Sequence, residues 1–197
     1  MTEERTQEGR VLDAGALRAL AHPLRVRLFD ILSQYGPQTA SSLAELTGES
    51  TGATSYHLRA LARHDLIREV AGRGTARERW WERPAGSVTL TNPEMQNTPS
   101  GRAVMEVVQS ETLALRHQQL MHFVAHGWDE PEEWREASVI TTATARLTPA
   151  QSAELIARVQ ALIDETVKRY RNQTGDDVRA VTMRADVFPL PIEKGSA

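Results

Sequence analysis

Leu43-Ala-Glu-Leu-Thr-Gly-Glu-Ser-Thr-Gly-Ala-Thr-Ser-Tyr-His-Leu-Arg-Ala-Leu61 is the stretch on which the fold turns. Its first part belongs to a short helical pattern, Thr39 to Gly48, that ends at a glycine, the residue best suited to close a helix. Glu49 and Ser50 follow, and a second helical pattern runs from Thr51 to His64. Within it Thr54, Leu58 and Leu61 recur at helical spacing and share one inward face. Two short helices this close in sequence have the spacing of a helix-turn-helix.

Working upstream, Asp13 to His22 reads as a short helix with Asp13 as its cap. Pro23 sits in the first turn of another, where its missing N–H costs nothing, and that helix carries Leu24, Leu28, Ile31 and Leu32 before Gly36-Pro37 stops it. Downstream of Leu66 the period changes. Ile67 to Val70, Ala71-Gly-Arg-Gly-Thr75 and Arg77 to Arg83 read as strand, turn and strand, and a hairpin directly after a helix-turn-helix is a wing. Trp80 and Trp81 alternate faces on the second strand, so one packs on the helices and the other lies outward. Core packing is preferred for this pair over a base-stacking platform.

Pro84 to Pro99 is loop-like, with a short strand at Ser87–Leu90, and the boundary between modules is placed here. The reading gives a winged helix-turn-helix domain at 12–92 and a dimerisation or regulatory module at 93–197. The second module holds a long helix at 100–126, an acidic turn at Trp128–Trp134, a strand at Ser138–Leu147, a helix from Thr148-Pro149 to Asn172 and a strand at Val178–Phe188. The expected fold class is α+β: a winged helix-turn-helix domain, a long helical arm and a C-terminal β-α-β module.

The 197-residue chain has a net charge of −3, which argues against a nucleic-acid binder until its distribution is examined. Residues 51–84 hold seven Arg against four acids, and residues 85–197 hold 11 basic against 15 acidic side chains. A local basic patch suffices for phosphate contact, because screening confines the field to roughly 8–10 Å at ordinary salt. There is no cysteine, so disulfides and thiolate metal sites are excluded. The polar N-terminus lacks the pattern of a secretory signal and no apolar run is long enough to span a bilayer, so the expected location is the cytoplasm.

Ser55, His57, Leu58 and Leu61 match a Ser-x-His-Leu-x-x-Leu pattern, preceded by Leu43-Ala44 in the first helix. Ala21-His-Pro-Leu-Arg-Val-Arg-Leu28 with Ile31-Leu32, and Asp65-Leu66-Ile67 where Gly-Leu-Val is usual, extend the match over residues 15–84. On these motifs the chain resembles the ArsR/SmtB-like winged-helix transcriptional regulators. The resemblance implies a DNA-binding regulator. The expectation is a homodimer on double-stranded DNA at a pseudo-palindromic operator that matches its two-fold symmetry, tuned by a ligand such as a small-molecule effector, by temperature or by a partner, none of which the sequence names. Physically, a recognition helix shows small polar or basic side chains to base edges from its first turns. Thr51, Gly52, Ser55, Tyr56 and Arg59 lie opposite the inward face, His57 is read as DNA-facing or helix-packing, and Arg59 and Arg63 reach for phosphate or a guanine edge. Arg73 at the wing tip, with Arg77 and Arg79 behind it, suits phosphate or minor-groove contact.

Two other functional classes compete with this one. A metal-responsive repressor would use His117, His122 and His126 with Asp129 and Glu130, but only His122 and His126 share a helical face. A winged helix that docks proteins instead of DNA is disfavoured by the basic recognition helix and wing. No nucleotide loop, nucleophile elbow or His-Glu-x-x-His motif is present, so neither enzymatic activity nor a cofactor is expected. Trp134, Leu147-Thr148-Pro149 and Phe188-Pro189 resemble landmarks in the C-terminal halves of two-module relatives, implying a regulatory or dimer-stabilising half.

Overall fold

The helices begin where the side chains can satisfy their free N–H groups. In the computed structural model, which describes residues 10–75, 78–84, 86–170 and 173–191, Asp13 accepts from Ala16 N at 2.8 Å and starts α1 (Ala14–Leu20). His22 Nδ1 accepts from Leu24 N at 3.2 Å and Pro23 opens α2 (Pro23–Tyr35). Thr39 and Ser42 form a reciprocal capping box for α3 (Ala40–Thr47), which closes on Gly48. Ser50 caps α4 (Thr51–Ala62) by accepting from Ala53 N at 3.1 Å. Between α3 and α4 lie only residues 48–50, and Arg27 of α2 donates to the carbonyls of Leu46 and Thr47, where α3 ends.

Among the described residues five strands accompany these helices. β1 (Arg10–Val11) pairs in parallel with β5 (Val88–Thr89), while β2 (Gln38–Thr39), β4 (Glu78–Glu82) and β3 (Arg68–Thr75) form an antiparallel sheet in the order β2-β4-β3. α5 (Pro93–Gln96) and α6 (Pro99–His126) come next, followed by a 3-10 turn at Gly127–Asp129 and α7 (Glu132–Glu136). One hydrophobic cluster joins Leu17, Leu28, Leu43, Leu58, Leu61 and Ile67 with Trp81, Met95, Met105 and Val108.

That core includes side chains beyond residue 92. The contacts divide the chain into residues 1–141 and 142–197, because the segment after the wing is woven into the first unit. The Asn92 side chain donates to Leu12 O at 2.9 Å and accepts from Glu94 N and Met95 N, and Met105 and Val108 carry α6 into the core beside α1 and α2. Gly101 permits the close approach of α5 to α6, since a Cβ there would fall on the carbonyl oxygen of Met95.

In the second unit α8 (Pro149–Tyr170) is the sole regular element among the described residues. Its first turn is held by Thr148, whose N–H donates to Gln151 Oε1 at 2.9 Å while its hydroxyl accepts from Gln151 N. The β-α-β expectation fails here: residues 138–147 and 178–188 are all described and neither segment forms a strand. Alternation of β-branched residues gives a segment one apolar face, but a strand also needs a neighbouring edge for its N–H and C=O groups, and one chain offers neither segment such an edge. No described residue of this unit is buried.

Candidate nucleic-acid interface

α4 is fixed from behind and open in front. Thr54, Leu58 and Leu61 are fully buried, and the Thr54 hydroxyl satisfies itself on Ser50 O at 3.0 Å. At 100° per residue the opposite face carries Gly52, Tyr56, Arg59 and Arg63, all exposed, with Thr51 exposed at the first turn. Tyr56 leaves 62% of its surface in solvent. Ser55 and His57 sit half-buried at the two margins of the inward face, so they are further from the open side than their neighbours.

His57 is the residue whose surroundings the sequence did not disclose. Its ring lies 4.4 Å from that of His22 and 5.2 Å, edge-on, from Tyr56, and its buried Nδ1 has no hydrogen-bond partner among the described residues. Burial holds the imidazole below the ordinary histidine value, helped by His22 and Arg25 and opposed by Glu49. The ring thus joins the recognition helix to the start of α2.

The seven arginines of residues 51–84 divide by environment. Arg83 is drawn inside, donating to Ser33 Oγ at 3.0 Å and Gly86 O at 2.8 Å with its guanidinium over Phe29, and burial lowers its pKa against the pull of Asp30. Arg68 pairs with Glu82 at 2.7 Å and Arg79 with Glu69 at 3.5 Å across the hairpin. Arg59, Arg63 and Arg73 remain exposed, and no ion pair engages them among the described residues. Arg77 lies outside the described residues. Of the tryptophans, Trp81 is buried in the core and Trp80 is half-buried on the other face of β4.

A family profile described as a helix-turn-helix domain matches residues 20–70, from the end of α1 through α4 to the first strand of the wing. Over residues 20–70 the chain is therefore similar to a helix-turn-helix domain. That assignment supports a DNA-binding regulator, with α4 as the second helix of the motif. The search of curated proteins finds no match.

Away from this domain, His122 and His126 stack at 4.4 Å near the end of α6, with His126 Nδ1 3.0 Å from the His122 carbonyl. Among the described residues no group of three or more His, Asp or Glu side chains is placed to hold a metal ion. No helix among them is long and apolar enough to cross a membrane.

Proposed function

We propose that the protein is a homodimeric transcriptional regulator of the ArsR/SmtB-like winged-helix kind, working in the cytoplasm as a repressor on a pseudo-palindromic operator under the control of a small-molecule effector. The observation that carries this reading is the outward face of α4. Small or polar residues, Thr51, Gly52 and Ser55, stand at its first turns, with Tyr56 and Arg59 exposed beside them and the opposite face locked in the core. Arg63 extends the basic face toward the C-terminal end of α4, Arg73 and Arg77 supply charge from the wing, and His57 sets the seating of the helix on α2. Residues 93–197 act as the dimerisation and regulatory part. Two-fold symmetry places two copies of α4 on successive half-sites, and an effector that changes their spacing changes affinity.

The test is binding of the full chain to fragments of its own chromosome. Specific, salt-sensitive binding to an inverted repeat is expected, and Arg59→Ala and Arg73→Ala each weaken it without moving thermal unfolding. If no fragment is preferred over random duplex, the DNA-binding reading fails.

A further inference from the structure

The wing contains a bulge that seats an arginine on an indole. Between the paired positions Glu69–Trp81 and Gly74–Arg79, β3 passes Val70, Ala71, Gly72 and Arg73 opposite Trp80 alone. Trp80 is held from its other side by pairing with Thr39 of β2, and its strand neighbours Trp81 and Arg79 pair with β3. The looped-out backbone returns over it, and the Arg73 guanidinium carbon lies 3.6 Å from the ring centroid. Gly74 makes the return possible. Its φ is 99°, and a Cβ there would fall on the Glu78 carbonyl oxygen and lie 2.9 Å from Trp80 Cδ1.

A π face attracts a cation without neutralising it. Arg68 and Arg79 have their charge met by Glu82 and Glu69, whereas no ion pair meets Arg73 among the described residues. We infer that Trp80 is a positioning residue that holds Arg73 ready for a backbone phosphate of the bound duplex. This rests on the DNA-binding reading above. The stack fixes the plane of a long, otherwise mobile side chain and leaves its N–H edge for an anion, which removes part of the ordering cost that binding incurs.

The experiment measures the affinity of the full-length wild type and variants for the duplex the wild type selects. Trp80→Leu is expected to weaken binding about two- to fivefold, and Trp80→Phe, which keeps a ring face, less. Arg73→Lys keeps the charge but loses the planar stack, and without touching β4 it should cost about as much as Trp80→Leu. In an Arg73→Ala background Trp80→Leu should cost nothing further. An equal loss from Trp80→Leu in both backgrounds, or an Arg73→Lys protein that binds like wild type, overturns the positioning role while leaving DNA binding intact. A wild type that prefers no duplex overturns the DNA-binding reading and this inference together.

Discussion

Asp65 stands where the resembled family usually has glycine, and its backbone shows why: φ is +53°, a left-handed conformation that glycine adopts without the usual cost of a Cβ. The strain is tolerated because Arg10 donates to the carbonyls of Asp65, at 2.7 Å, and His64, at 3.0 Å, tying the end of the recognition helix to β1. Asp65→Gly should therefore raise stability by up to about 1 kcal/mol in urea unfolding, with the relief of strain exceeding glycine's extra unfolded-state entropy. A decrease would mean that the Asp65 side chain itself supports the fold. His57 yields a second expectation at this scale. Its folded-state pKa lies below the ordinary 6.5, so between those values the unfolded chain binds more protons than the folded one. The neutral ring's advantage is complete above the unfolded pKa and shrinks as pH falls toward the folded one. The thermal midpoint should fall as pH drops below about 6.5, and His57→Phe, which keeps a ring against His22 but cannot ionise, should flatten that fall. An unchanged pH profile in His57→Phe would assign the fall to other groups.

At the scale of elements, α6 has two uses that a single apolar count merges. Its first half buries Met105 and Val108 in the helix-turn-helix core, while Leu113, Leu120, Met121 and Val124 further along remain exposed. Leu113, Leu120 and Val124 fall on one stripe at helical spacing, which is the surface proposed for a second copy. The two halves should respond oppositely to substitution. Met105→Ala should cost about 2–5 kcal/mol of stability. Leu120→Glu should leave unfolding of the subunit nearly unchanged while shifting sedimentation from dimer to monomer. If Leu120→Glu remains dimeric, this stripe is not the dimer contact. A chain ending at Asn92 would lack Met95, Met105 and Val108, so weak DNA binding by it would report a damaged core.

For the whole molecule, the informative cut is the one the contacts mark, after Thr141. Residues 142–191 include Leu147, Leu155, Leu162, Val181, Phe188 and Leu190, all exposed, and with no buried residue among those described this unit shows little of the apolar burial that stabilises small folds. A chain ending at Thr141 should keep the unfolding transition of the first unit, measured by circular dichroism. If that transition is lost, the first unit depends on residues beyond its own core.

The order of α1 to α4, the cap at Asp13 and the inward Thr54-Leu58-Leu61 face were legible in the sequence because each depends on residues within a few positions of one another. The outward position of Tyr56, Arg59 and Arg63 followed from the same helical period. The rest required the folded chain. Nothing local marks Arg83 as half-buried, pairs Arg68 with Glu82, brings His22 to His57, or loops four residues of β3 over Trp80, since each depends on partners brought together from different elements. The two alternating segments of the C-terminal third show the converse: a one-face pattern can be read locally, but whether it becomes a strand is decided by a neighbouring edge, and that lies beyond any local pattern.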